Sequence, residues 1–138
     1  MVSLALVVAE FNRSVTERMA NAARDAASDA GATIAETAHV PGAYDAPLVA
    51  DRLACRDDVD AVVVLGAIVT GDTDHDQVIG HATASKLTDV SLERGVPVTL
   101  GVIGPGMSGA EARERVEKGA EAVESAVDLA ETLEEIQR

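Results

Sequence analysis

The stretch LGAIVTGDTDHD, residues 65–76, joins an apolar run to a glycine turn and closes on a histidine. Imidazole is the side chain whose ordinary titration lies near neutrality, which makes His75 the first candidate for moving protons. Gly71 and Thr73 come just before it, where an apolar run gives way to a helical pattern. Backbone N–H groups turned toward a helix start, together with the helix dipole, favour an anion at that point. Phe11 is the only phenylalanine of the chain and ends an apolar run beside Asn12. A core ring belongs in mid-strand, so a ring at the strand's end is suited to stacking on a flat ligand. His39 and His81 lack such a setting and read as structural. Cys55, the only cysteine, excludes an internal disulfide and a thiolate metal cluster. It follows Leu53 and Ala54 in an apolar helical pattern and reads as a small core or interface residue.

Strand and helix patterns alternate around these residues. SLALVVAE (3–10) is almost continuously apolar, as a strand buried on both faces must be. Ser14 and Glu17 have the spacing of a capping box, and Val15, Met19, Ala22, Ala23, Ala26 and Ala30 continue as a helical stripe to Gly31. Residues 33–40 form a second strand that stops at Pro41-Gly42. Asp45 and Pro47 start a helix carrying Leu48, Val49 and Leu53. A third strand spans 60–69, a helix runs from about 74 to 94 and ends at Gly95, and a fourth strand at 96–103 is broken by Gly104-Pro105-Gly106. Ser108 with Glu111 forms a second capping box and opens one long helix toward the C-terminus. Glu117, Glu121, Glu124, Asp128, Glu131 and Glu135 give that helix an acidic stripe. Its apolar arc is wider than one sheet face needs, which leaves room for a neighbouring copy.

The order βαβαβαβα predicts a single-domain three-layer α/β/α sandwich over residues 1–138, with a four-stranded parallel, flavodoxin-like sheet and helices on both faces. Such sheets bind ligands beyond the carboxyl ends of their strands. The segments 10–12, 40–45, 66–75 and 100–107 should therefore converge on one rim.

Composition narrows the function. A chain of 138 residues fits one sizeable core. Its formal net charge of −13, with Lys86 and Lys118 as the lysines, offers no basic stripe for nucleic acid and no attraction to an anionic membrane. No run is long enough to span a bilayer and no secretory signal pattern is present, so a soluble, cytoplasmic protein is expected. An acidic, lysine-poor surface suits a salt-rich cytoplasm, where screening removes self-repulsion.

Taken in order, AEFNR (9–13), VPGAYDAP (40–47), LGAIVTGDTDHD (65–76), PVTLGV (97–102) and ARERVEKGAEA (112–122) resemble the lumazine synthases, enzymes of riboflavin biosynthesis. The resemblance runs from about Leu4 to Leu133 and is strongest to short archaeal-type members, which share the GPGM loop at 104–107. It implies a cofactor-free condensation of 5-amino-6-(D-ribitylamino)uracil with 3,4-dihydroxy-2-butanone 4-phosphate. By position, Phe11 would stack on the pyrimidine, and Ala43, Tyr44 and Asp45 would bind the same substrate. Ala67, Ile68 and Val69 would hold the uracil edge, and Leu100 would line the pocket of an adjacent subunit. Asp72, Thr73 and Arg115 would bind phosphate, and His75 would be the acid/base. Lys118 and Glu121 fall where the family often has a lysine and an acid near the ribityl chain. The resemblance also implies a homo-oligomer, a pentamer or an assembly of pentamers, with the site between subunits. No metal is implied.

Three positions depart from the usual pattern. Asp45 stands for a glutamate, Leu100 for a frequent phenylalanine, and Thr70 for a common arginine. None removes a group the chemistry needs. Two other readings compete: the related archaeal-type riboflavin synthase, which usually lacks both the Phe-Asn pair and the G-x-T-x-H stretch, and a non-catalytic flavin- or nucleotide-binding module. A pure shell protein would need none of the loop motifs.

Overall fold

The structure is a computed structural model that describes residues 1–71 and 73–137. Along the chain come β1 (Ser3–Ala9), α1 (Arg13–Asp29), β2 (Thr33–Val40), a 3₁₀ turn (Ala43–Asp45), α2 (Ala46–Ala54), β3 (Ala61–Val69), α3 (His75–Arg94), β4 (Val98–Met107), α4 (Gly109–Arg113) and α5 (Lys118–Ile136). The strands pair in parallel in the order β2-β1-β3-β4. Leu4 stands opposite Ala61 and Val8 opposite Leu65 at the centre of the sheet.

The two-residue alternation of a strand explains both apolar faces. On β1, Leu4, Leu6 and Val8 point to one side and meet Ala20, Ala23 and Ala27 of α1 with Ala122, Val123 and Ala126 of α5. Ala5, Val7 and Ala9 point to the other side, where Ala46, Ala50 and Leu53 of α2 and Leu87 and Val90 of α3 cover them. This is the expected three-layer, flavodoxin-like sandwich. Among the described residues no helix is long and apolar enough to cross a membrane.

The structure corrects the sequence reading in several places. Helix α1 begins at Arg13 with Asn12 as its cap residue, so Ser14 and Glu17 do not form a capping box; Glu17 instead accepts from Arg13 Nε at 2.7 Å. Strand β4 is not ended by Gly104-Pro105-Gly106 but carries them as a bulge, since Ala67 pairs with Ile103 and Val69 with Met107. Gly104 has a φ of 89°, and a Cβ there would run into the Ile68 carbonyl. Only glycine fits.

The expected long last helix is divided by a turn at 114–117 into α4 and α5. That turn lets α4 follow the end of β4 while α5 lies along α1, where Gly119 packs directly on the Met19 backbone. Cys55 is exposed rather than part of the core, because it falls just past the last turn of α2, beyond the buried Leu53 and Ala54. His39 and His81 are exposed too, so neither supports the interior.

Candidate active site

From the sheet's centre the chain steps outward in opposite directions, β1 to β2 and β3 to β4. The loops after β1 and β3 therefore part and leave a crevice at the carboxyl ends of the strands. Asn12 bridges it: its Nδ2 donates to the Ala67 carbonyl at 2.9 Å. Its backbone is left-handed, with φ 62°, a conformation that asparagine tolerates better than most residues. Its side chain reaches across to β3, and α1 begins without a side-chain cap.

This turn sets Phe11 on the rim. Its N–H donates to the Pro41 carbonyl at 3.0 Å, and the residue is 69% exposed. The ring lies against Gly42, where an added Cβ would stand 2.8 Å from Phe11 Cδ2. Gly42 in turn donates its N–H to Asp45 Oδ2 at 3.0 Å, so one oxygen of that carboxylate already serves the loop. Tyr44 projects beside it, 63% exposed.

The loop from β3 to α3 supplies the polar wall. The Thr73 hydroxyl oxygen accepts the backbone N–H of His75 at 3.3 Å, so it caps the start of α3 and keeps its own proton free to donate. Among the described residues no hydrogen bond fixes the His75 ring, and the residue is exposed at the cleft. Asp76, the next residue, is buried and receives the Gly106 N–H at 3.1 Å and the Thr70 hydroxyl at 3.4 Å.

Together these loops enclose a cleft of about 730 Å³. It brings together Phe11, Ala43, Tyr44, Asp45, Ala67, Ile68, Val69, Thr73 and His75 from the sequence-predicted set. Its size is that of a small-molecule site. Asn12, Asp76, Val78 and Ile79 also line it. The sequence pattern passed over the last three, since an acid and two apolar residues early in a helix look like ordinary capping and core positions.

Four predicted residues stand elsewhere. Arg115 lies in the turn between α4 and α5 rather than within one long helix. Its Nη2 is 3.3 Å from Glu111 Oε2 and its Nη1 is 3.8 Å from Met107 Sδ. Glu111 also accepts the Ser108 N–H at 3.0 Å, which, with the Ser108 hydroxyl and Arg115, holds its carboxyl below the ordinary range. Leu100 is 43% exposed on the edge strand β4. Lys118 and Glu121 sit in the first turn of α5, also away from the cleft. Asp72 lies outside the described residues.

Residues 1–134 match the family model described as 6,7-dimethyl-8-ribityllumazine synthase. A protein of that name from Halobacterium salinarum is 76% identical over 133 residues, covering 96% of this chain and all of the relative. One from Halorubrum lacusprofundi is 71% identical over 134 residues, which is 97% of this chain and all of the relative. One from Methanocaldococcus jannaschii is 44% identical over 137 residues, covering 99% and 97%. A match of such length and identity, on a chain whose cleft gathers the loops that carry the motifs, establishes that this chain belongs to the 6,7-dimethyl-8-ribityllumazine synthase family.

Proposed function

We propose that this enzyme of riboflavin biosynthesis condenses 5-amino-6-(D-ribitylamino)uracil with 3,4-dihydroxy-2-butanone 4-phosphate in the cleft between β1 and β3. The observation that carries the reading is the meeting of an aromatic face, a helix start and an imidazole in one open cleft, from Phe11, Thr73 and His75. The substrate's 5-amino group attacks the ketone carbonyl, and loss of water leaves an imine. Phosphate is then eliminated, and attack of the ribityl-bearing nitrogen closes the second ring with loss of another water. These steps need proton shuttling and a bound anion more than a strong nucleophile.

Phe11 stacks on the uracil, Tyr44 and the free oxygen of Asp45 receive the ribityl chain, and the backbone of Ala67, Ile68 and Val69 meets the uracil edge. Thr73 and the first amides of α3 take the phosphate, with Arg115, which lies outside this cleft in a single chain, as its cationic partner from an adjoining copy, and His75 moves the protons. A guanidinium fits phosphate through its planar fork of donors. The remaining expectations fit an oligomer with its site between subunits. Leu100 lies on an edge strand open to a neighbour, and the rim residues Phe11, Tyr44 and Val78 are all more than half exposed. Lys118 and Glu121 would then approach the ribityl chain from the adjoining copy.

Incubation with both substrates, following lumazine absorbance and released phosphate together, tests the activity. Product with stoichiometric phosphate supports it. A purified protein that is yellow with bound flavin and releases no phosphate would be a carrier instead.

A further inference from the structure

We infer that Asp76 is a positioning residue, a clasp that ties the helix start bearing His75 to the β4 bulge on which Arg115 rests. The inference builds on the roles proposed above for His75 and Thr73. Asp76 occupies the first turn of α3 and is only 6% exposed. Its Oδ2 accepts from the Gly106 N–H at 3.1 Å and from the Thr70 hydroxyl at 3.4 Å, while the Thr70 N–H donates to the Met107 carbonyl at 2.9 Å. One oxygen thus gathers the end of β3, the start of α3 and the bulge of β4.

Among the described residues no lysine or arginine pairs with Asp76. A buried carboxyl without a cation is an expensive way to fill space, offset here by two donors and the amide end of α3. Its value lies in what it holds. Gly80, one helical turn later on the same face, leaves room for Pro105: a Cβ would stand 2.6 Å from Pro105 Cδ. Asp76 and Gly80 therefore seat the bulge on α3 from two adjacent turns. The bulge leads into Met107, which is 1% exposed and whose sulfur lies 3.8 Å from Arg115 Nη1. The distance from the helix start that carries His75 to the ends of β3 and β4 is set through this one side chain. Errors of about 1 Å in such distances cost orders of magnitude in rate.

The test uses the whole enzyme with Asp76→Ala, Asp76→Asn and Thr70→Val. Steady-state constants are measured for each substrate in turn, with amide hydrogen exchange at Thr70 and Gly106. Asp76→Ala should lower kcat/KM for the butanone phosphate roughly ten- to a hundredfold, the scale of a buried donor left unpaired. The KM for the uracil substrate should change less, because the ring it stacks on, Phe11, belongs to another loop. Asp76→Asn keeps one acceptor oxygen in the same shape and should recover most of the loss. Thr70→Val should show a smaller defect that does not add to that of Asp76→Ala. Exchange at both amides should rise together in Asp76→Ala. Equal losses for both substrates, or unchanged exchange at Gly106, would overturn the clasp. Should the wild-type enzyme fail to consume the butanone phosphate, the proposed function falls, while the exchange data still decide whether Asp76 binds the two loops.

Discussion

Phe11 is held by its backbone, with the N–H on the Pro41 carbonyl, while most of the ring faces the cleft. Phe11→Ala should therefore weaken binding of the uracil substrate by roughly 1–3 kcal/mol, the scale of stacking on an aromatic ring, and leave the butanone phosphate alone. Gly42→Ala gives an independent check, since its methyl would press on the ring edge. It should raise the same Michaelis constant with Phe11 still present. His75→Ala should slow turnover by about one to three decades, because general acid–base help is partly replaceable by water; full activity would remove the histidine from its role. At Arg115 the competing reading is the ion pair with Glu111, in which the two side chains are 52% and 50% exposed. Such a pair contributes roughly 0–1 kcal/mol to stability and nothing to turnover. Arg115→Lys should fall between wild type and Arg115→Ala in its Michaelis constant for the butanone phosphate, and equal constants in all three would leave only the ion pair.

At the scale of elements, α3 carries a buried face of Asp76, Thr83, Leu87 and Val90. The Thr83 hydroxyl on that face has no hydrogen-bond partner among the described residues. Thr83→Val keeps the shape and removes the orphan group, and should raise stability by about 1 kcal/mol, roughly 2–8 °C in Tm. A thermal melt checks it. The same helix shows what a sequence can and cannot tell. Apolar runs at 3–10 and 60–69 made the central strands plain, because a strand covered on both faces has no polar side. Gly31 and Gly95 likewise marked true helix ends. The loops around Phe11, Tyr44 and His75 were legible because strand ends of a parallel sheet share one rim. Asp76 was not legible, since its burial depends on a bulge from a strand that lies thirty residues away in sequence. Glycine and proline in GPG read equally well as a stop, and only the close approach to the Ile68 carbonyl makes them part of the strand. The break before α5 was hidden for a similar reason: a continuous helical pattern does not reveal where α1 must be met.

Over the whole molecule, a formal charge of −13 makes self-repulsion a term in stability. Melts in low and multi-molar potassium chloride should show a marked rise in Tm with salt, and a flat response would reject adaptation to a salt-rich interior. Against this background a few ion pairs bind elements together. Arg94 at the end of α3 reaches Asp51 of α2 with Nε–Oδ1 at 2.8 Å and Nη2–Oδ2 at 3.1 Å. The Arg94 hydrogen bonds hold the Asp51 carboxyl below its ordinary range, and Arg56 does the same to Asp58. A depressed carboxyl stabilises the fold at pH above its ordinary value, and that contribution disappears as pH falls through the lowered one. Asp51→Asn should thus lower Tm at neutral pH, and the difference from wild type should close progressively below about pH 4. A gap independent of pH would show that packing, not charge, links α2 to α3.

The exposed rim of the cleft finally bears on the rate law. Phe11, Tyr44 and Val78 present apolar surface to water in a single chain, on the side of the proposed site. With a neighbouring copy as the missing wall, the number of working sites depends on association as well as on the amount of protein. Initial rates should then rise more steeply than in proportion to enzyme at high dilution, and become proportional only once the chains are assembled. Pre-diluted enzyme should show a lag that shortens as its concentration increases. Strict proportionality down to the lowest measurable concentration would mean that each chain closes its own site.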